Sequence, residues 1–302
     1  MHIRRALPAV ALSGSIAFVG AAIAITAKGH AASTPADALA IASTPAATKT
    51  SATATATVSL AAAVSGLAAA DGDHVSVAVE NLGTGATSSF NVGDGYVTAS
   101  IVKLDILCTL LYQDQTDHRS LSDSERSLIT TMIENSDNNA AQHLFEEEGG
   151  ASAITAANKA FGLSDTTVQR NSVDEAGYSW GDTTTTVLDQ LQLLRQVFTG
   201  ESVLTPANRD FVESLMQKVE PDQRWGVSAA ASDPSPTGSD YLLKNGWLSR
   251  KTTGLWEINS IGEVRHDGQE YLVAVLSSGN KTMGSGIDVV QQIAEKAVDA
   301  EG

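Results

Sequence analysis

The sequence predicts an α+β fold in which one antiparallel sheet is built from both ends of the chain, with an inserted helical subdomain. Two β-like runs early in the folded region, residues 74–80 and 87–90, are joined by a glycine turn and predict a hairpin. A helical middle follows, and strand-like patterns return near the C-terminus. These later runs are residues 241–247, 255–264 and 270–277.

Composition divides the chain of 302 residues into three parts. Residues 1–31 carry two arginines ahead of an apolar stretch, which is typical of an export signal. Its length is also near the roughly 20 residues that span a bilayer, so retention as an N-terminal membrane anchor stays open. Residues 32–57, rich in Ala, Ser, Thr and Pro, predict a flexible linker. Residues 58–302 are expected to form the folded domain, a monomer that works extracellularly or at the outer face of the cytoplasmic membrane.

The helices are predicted from apolar periodicity and from start and stop signals. The run 101–111 is apolar nearly all round, as in a helix buried at the centre of a domain, and Ser100 opens it. Ser122 and Glu125 form a capping-box pattern at the start of another helix. The predicted helices are residues 58–70, 101–111, 122–135, a segment ending at 149–150, 152–161, 183–198, 213–219 and 287–300.

Charge and cysteine content exclude several functions. The net charge of −16 repels a phosphate backbone, so we expect no nucleic-acid partner. Cys108 is the single cysteine and lies in an apolar helical run, which favours a buried, inert thiol. The six histidines form no HExxH pattern or closely spaced pair. We therefore expect no metal site and no cofactor.

Ser100 and Lys103 are the candidate reactive pair. They lie one helical turn apart on the same face, so the lysine nitrogen can reach the serine oxygen. Burial can depress the lysine pKa until the amine serves as the base that activates the hydroxyl. A Ser-x-x-Lys pattern alone is weak, since a second copy occurs at Ser278 and Lys281 between glycines.

Order along the chain makes the signal specific. Ser100-Ile-Val-Lys103 is followed by Ser136-Asp-Asn138 between two helices and by Lys244-Asn-Gly246 within a strand. In this order the three motifs resemble those of the penicillin-recognising serine enzymes, and residues 58–302 resemble the catalytic domain of class A β-lactamases. The resemblance implies a β-lactamase/transpeptidase-like fold and acylation by a β-lactam or a D-Ala-D-Ala-type peptide.

The resemblance also implies a role for each motif residue. The expected catalytic residues are Ser100 as nucleophile, Lys103 as base, Ser136 as proton relay to the departing nitrogen, and Lys244 as a positive charge in the pocket. The expected substrate-binding residues are Asn138, Asn245, Gly246 and Trp247, with the backbone amides of Ser100 and Trp247 forming an oxyanion hole.

Two departures from the family pattern change the expected activity. Asn245 stands where a hydroxyl usually contacts the substrate carboxylate, and Trp247 replaces a small residue. The Glu-x-x-x-Asn element that activates the deacylating water is missing, because the corresponding distance falls near Gln169. Glu175 is the glutamate of that loop, with Ser179 in place of the asparagine. We expect acylation with slow deacylation, and whether Glu175 substitutes for the missing base stays open.

Two other functional classes are weighed against an exported serine hydrolase. A non-catalytic cell-wall ligand-binding module would explain the altered third motif, but it would not require all of Ser100, Lys103, Ser136 and Asn138. A Ser-His-Asp esterase is disfavoured, since the chain has no G-x-S-x-G sequence. The sequence therefore favours acyl transfer.

Overall fold

The computed structural model describes residues 59–70, 74–169, 173–174 and 176–302. The predicted signal or anchor, residues 1–31, and the predicted linker, residues 32–57, lie outside the described residues. None of the helices in the described part of the chain is both long and apolar enough to cross a membrane.

Five antiparallel strands form the main sheet, in the order β2-β1-β7-β6-β5. The strands are β1 (His74–Asn81), β2 (Thr87–Phe90), β3 (Tyr96–Val97), β4 (Thr184–Thr185), β5 (Tyr241–Ser249), β6 (Trp256–His266) and β7 (Gln269–Asn280). Val77 of β1 lies opposite Val275 of β7, so the two ends of the chain pair directly. The predicted hairpin and the predicted α+β class are both confirmed.

Eight α-helices of the described residues accompany this sheet, and most lie between β3 and β5 in sequence. They are α1 (Leu60–Ala70), α2 (Val102–Thr116), α3 (Asp123–Glu134), α4 (Asn138–Glu147), α5 (Gly150–Phe161), α6 (Val187–Phe198), α7 (Pro206–Met216) and α8 (Met283–Glu301). The predicted capping box of α3 is present, since Ser122 and Glu125 each accept a backbone N–H of the other.

Two predicted helix boundaries were wrong for identifiable reasons. The helix expected over 183–198 begins at Val187, because Thr184–Thr185 pairs with β3 and the Thr186 hydroxyl caps the helix. The helix expected over 213–219 is α7, which begins at Pro206 and ends at Met216. Pro206 occupies the first helical turn, where its missing N–H costs nothing.

The sheet separates two hydrophobic cores. Its pleat sends Ala78 of β1 into a core shared with helices α2 to α6, whereas Val77 and Val79 enter a second core with α1 and α8. Helix α2 lies within the first core, and ten of its residues from Val102 to Leu111 are buried. Lys103 and Asp105 are therefore buried polar side chains on a largely apolar helix.

Candidate active site

Ser100 lies in a short 3-10 turn, Ala99–Ile101, that leads into α2. Ala99, just before it, has a φ of 46°, a left-handed conformation that costs energy for a residue with a Cβ. The preceding carbonyl, that of Thr98, accepts hydrogen bonds from the Asn259 amide and from the Ile101 N–H. The surrounding sheet thus holds the serine on a constrained turn.

Lys103 is fully buried and has four oxygen neighbours. Its Nζ lies 3.0 Å from Ser100 Oγ, 2.5 Å from the Ser136 carbonyl oxygen, 3.1 Å from Ser136 Oγ and 2.7 Å from Asn138 Oδ1. An ammonium has three protons, so it cannot donate to all four oxygens at once. A neutral amine, in contrast, can accept a proton from one of the two hydroxyls.

The charge state of Lys103 is set by competing effects. Burial lowers the pKa of this amine to about 7, while the negative charges of Asp137 and Asp174 oppose the decrease. The ring of Trp180 also lies close, with Nζ 5.1 Å from the ring centroid. Near neutral pH the Lys103 amine is therefore divided between its basic and its protonated forms.

Ser136 lies between α3 and α4 in a left-handed conformation, with a φ of 56°. The next residue, Asp137, caps α4 by accepting the Ala140 N–H at 2.7 Å, and Asn138 is the first residue of that helix. This local geometry directs both Ser136 and Asn138 toward Lys103. The predicted turn between two helices is therefore present, and it carries the predicted polar side chains to Lys103, which contacts Ser100.

Lys244 approaches Ser136 from the sheet. Its Nζ lies 3.0 Å from Ser136 Oγ and 3.0 Å from the Asn245 carbonyl oxygen. Burial, and then repulsion from Lys103, lower the pKa of Lys244 well below its usual value. One serine hydroxyl is thus bracketed by two buried amines.

Gly246 allows strand β5 to reach the turn that carries Ser100. A Cβ on this residue would lie 2.7 Å from the Thr98 carbonyl oxygen, 2.8 Å from the Ile101 nitrogen and 2.9 Å from the Ser100 nitrogen. All three are backbone atoms, which cannot move aside cheaply. A glycine is therefore required here, and it brings the backbone of β5 against the backbone amide of Ser100.

Asn245 differs from its sequence-based expectation of a substrate contact. It is fully buried, and its amide donates to the carbonyls of Gln223 at 2.7 Å and Trp225 at 2.9 Å. The side chain therefore ties β5 to the neighbouring segment and is closed off from solvent. Trp247 is half-buried and makes an edge-on contact with the ring of Trp225, with centroids 6.0 Å apart.

Sequence reasoning missed two residues of the loop before Asp182. Asp174 acts electrostatically on Lys103, and its Oδ1 accepts the N–H groups of Ala176 and Tyr178. Trp180 packs against Lys103 and donates its indole N–H to Gln142. The family pattern predicts a glutamate in this loop, so it gave no indication of the neighbouring aspartate. Glu175, the residue that was considered, lies outside the described residues.

Comparisons with known proteins agree with this fold. Residues 123–300 match the model of the Beta-lactamase enzyme family, a range that leaves out Ser100 and Lys103. A β-lactamase from Chitinophaga pinensis is 22% identical, with a TM-score of 0.66, and the match covers 79% of this chain and 98% of that one. The extended-spectrum β-lactamase TLA-1 is 17% identical, with a TM-score of 0.69, and the match covers 80% of this chain and 98% of that one. PBP-A is 18% identical, with a TM-score of 0.66, and the match covers 80% of this chain and 95% of that one.

A curated relative comes from Mycobacterium tuberculosis, where the protein is assigned as lipoprotein LppW. It is 25% identical over 189 residues, which are 60% of this chain. The match spans 56% of the length of that relative. The structural neighbours support the fold, and the family model covers more than half of the chain. This chain therefore belongs to the beta-lactamase enzyme family.

Proposed function

We propose that the protein is an exported serine hydrolase that forms an acyl-enzyme through Ser100 with β-lactams or D-Ala-D-Ala-type peptides and releases the acyl group slowly. The observation that carries this proposal is the contact of 3.0 Å between Ser100 Oγ and Lys103 Nζ. Burial lowers the pKa of that amine to about 7, which matches a general base that works near neutral pH.

Acylation follows from the hydrogen bonds around Lys103. The neutral amine takes the hydroxyl proton of Ser100 as Oγ attacks the substrate carbonyl carbon and the carbonyl π electrons move to the oxygen. When the tetrahedral intermediate collapses, the C–N bond breaks and Ser136 donates its hydroxyl proton to the departing nitrogen. Lys103, 3.1 Å from Ser136 Oγ, then returns a proton to that hydroxyl. The proton lost by Ser100 is thus passed through Lys103 and Ser136 to the departing nitrogen, and Lys103 and Ser136 return to their starting protonation states.

Electrostatic stabilisation comes from the groups that frame this pair. Lys244 lies 3.0 Å from Ser136 Oγ and lowers the cost of negative charge on that oxygen during proton transfer. The close approach of Gly246 to the Ser100 nitrogen brings the strand that carries Trp247 beside the turn. We assign the backbone amides of Ser100 and Trp247 to the developing oxyanion. Asn138 is assigned to the substrate amide.

Slow release follows from the loop that precedes Asp182. Deacylation needs a base that removes a proton from the attacking water. Asp174 is the described carboxylate of this loop that acts on Lys103, and one of its oxygens is already held by two backbone N–H groups. A variant of PBP-A, which has a similar fold, was solved as an acyl-enzyme complex with penicillin G.

Export is the remaining part of the proposal. The signal-like residues 1–31 and the relative assigned as a lipoprotein both favour a protein that works outside the cytoplasm. β-Lactams and peptidoglycan peptides are encountered in that compartment. In this proposal residues 1–31 act either as a cleaved signal or as a retained N-terminal anchor.

The alternative is a non-catalytic cell-wall ligand-binding module. The observation that favours it is Asn245, whose side chain is buried and bound to Gln223 and Trp225, so the third motif lacks its usual substrate contact. Such a module would bind ligand without forming a covalent bond. The two functions therefore differ in whether an adduct forms on Ser100.

Intact mass over time after mixing with a penicillin tests the proposal. The wild-type protein is expected to gain the mass of one penicillin and to hold it, and Ser100→Ala is expected to gain nothing. Ser278→Ala is the matched control, because it removes the serine of the second Ser-x-x-Lys copy. An adduct that survives in Ser100→Ala, or no adduct and no penicillin loss in the wild type, would overturn the proposal.

A further inference from the structure

A second polar cluster lies on α2, away from the reactive serine. Asp105 is two residues beyond Lys103, which turns it about 200° around the helix axis. Its Oδ2 accepts the Asn158 amide of α5 at 3.0 Å. Two turns further along, Gln113 donates to the backbone carbonyl of Glu148, the residue that ends α4. Thr109 lies between these two contacts. We call Asp105, Thr109, Glu148 and Asn158 the interior oxygen cluster.

The side-chain oxygens of this cluster are buried and largely without donors. The four side chains are 0–7% exposed. Five of their oxygens have no hydrogen-bond partner: Asp105 Oδ1, Thr109 Oγ1, both Oε atoms of Glu148 and Asn158 Oδ1. Buried polar atoms are normally paired, so five orphan oxygens on adjoining elements point to a missing positive or donating group. Asn158 and Thr109 are neutral, so this argument does not rest on the carboxylates alone.

The carboxylates themselves lack compensation. Burial raises the pKa of Asp105 to about 7, and burial followed by the charge of Asp105 raises the pKa of Glu148 well above its usual range. Asp189 of α6 adds further negative charge against Asp105. A bound cation would remove this penalty by letting both carboxylates ionise.

The donor set identifies the class of cation. Carboxylate, amide and hydroxyl oxygens are the ligands of hard cations, and two carboxylates balance one divalent ion. Cys108 lies beside the cluster, but burial raises the pKa of its thiol, so it supplies no thiolate for a soft metal. Calcium fits a water-poor cage better than magnesium, which gives up its water ligands reluctantly. The described residues hold no group of three or more His, Cys, Asp or Glu placed for a metal, so neutral oxygens would complete the coordination.

A cavity of about 340 Å³ provides an entry path. It is lined by Asn158 together with Thr155, Lys159, Gly162, Leu163, Ser164 and Thr166. Asn158 therefore touches both this surface cavity and Asp105. Asn158 thus separates the cavity from Asp105 by one side chain.

We propose that the interior oxygen cluster binds one calcium-class divalent cation, which holds α2, α4 and α5 together beneath the reactive serine. The contribution is structural, so binding is expected to stabilise the fold without entering the acylation chemistry.

Thermal unfolding of chelator-treated protein, with and without millimolar calcium chloride, tests this site. Saturating calcium is expected to raise the wild-type Tm by about 5 °C. The isosteric double variant Asp105→Asn, Glu148→Gln is expected to lose this response. The double variant Glu146→Gln, Glu147→Gln, which removes two exposed charges of α4, is expected to keep it.

Terbium luminescence gives a second measurement that does not depend on stability. Bound terbium is expected to be sensitised by Tyr112 on α2 and displaced by calcium ahead of magnesium, at one site per chain. A wild-type Tm that calcium does not change overturns the proposal whatever the variants do. An equal response in both double variants also overturns it, because the ion would then bind to the surface charge of the protein.

Discussion

The polar cluster around Lys103 and the interior oxygen cluster around Asp105 differ in how many of their polar atoms have hydrogen-bond partners. The amines of Lys103 and Lys244 both contact Ser136 Oγ, and Asn138 Oδ1 accepts a further hydrogen bond from Lys103. Around Asp105, five oxygens have no partner. The two clusters also differ in burial, since Ser100, Ser136 and Asn138 are half-buried whereas the four side chains of the interior oxygen cluster are buried.

This difference teaches what each cluster is suited to do. The groups around Lys103 already form a continuous hydrogen-bond network, so protons can move through it without rearrangement. The interior oxygen cluster has acceptors in excess of donors, so it needs a proton or a cation before it is stable. The predictions that follow separate activity, which we assign to the first cluster, from stability, which is governed by the second.

The largest effect is expected from Lys103→Met. Methionine keeps much of the buried volume but cannot accept the Ser100 proton, so the acylation rate should fall by about 10²- to 10⁴-fold. Stopped-flow measurement with a chromogenic β-lactam gives this rate. Lys159→Met, which changes an exposed lysine of α5, should acylate at the wild-type rate. Acylation of Lys103→Met within tenfold of the wild type would contradict the role of Lys103 as base.

Sequence reasoning found the residues of the first cluster because their spacing follows from helix geometry and motif order. Ser100 and Lys103 had to share a helix face, and the order of the motifs brought Ser136 and Lys244 to them. It could not find the interior oxygen cluster. Asp105, Glu148 and Asn158 lie on three helices whose packing depends on tertiary contacts, and no local pattern links them.

The fold was similarly predictable where patterns are local. Alternation and turn residues predicted the sheet, whereas the start of α6 was misplaced because pairing of Thr184–Thr185 with β3 is a long-range contact. The direction of the Asn245 side chain could not be predicted from the sequence either. It depends on the carbonyls of Gln223 and Trp225, about 20 residues away along the chain.

The next largest effect concerns stability as a function of pH in the absence of calcium. The folded pKa of Asp105 is raised to about 7, so its favourable contribution is present below pH ~4 and is lost as pH rises through 7. Asp105→Asn should therefore match the wild type at low pH. At pH 8 it should be more stable by on the order of 4 kcal/mol.

Urea unfolding at a series of pH values gives this difference. The groups that face Asp105 are Asn158, Cys108, Glu148 and Asp189, and all four remain in the variant. If the difference in unfolding free energy between wild type and variant does not change with pH, the pKa of Asp105 is not raised in the folded protein. Calcium, if it binds as proposed, should remove most of the difference.

Gly246→Ala tests how closely the first cluster depends on backbone contact. The added Cβ would meet three backbone atoms at 2.7–2.9 Å, so the turn that carries Ser100 must move. A displacement of this size is expected to slow acylation by about 100-fold. Gly93→Ala is the control, since a Cβ there meets nothing within 4 Å. Equal acylation rates in the two variants would show that β5 does not set the position of the nucleophile.

The smallest effect is a shift of the acylation pH profile in Asp174→Asn. Asp174 raises the pKa of Lys103, and asparagine keeps an oxygen for the N–H groups of Ala176 and Tyr178 while it removes the charge. The proposed mechanism needs Lys103 as the neutral amine, so the rate should rise with pH through about 7 in the wild type. Without the aspartate charge this rise should move to lower pH, by less than about one unit. Asp288→Asn, an exposed change on α8, should leave the midpoint in place. A shift to higher pH would mean that another group controls the protonation of Lys103, and the assignment of Asp174 to this network would fail.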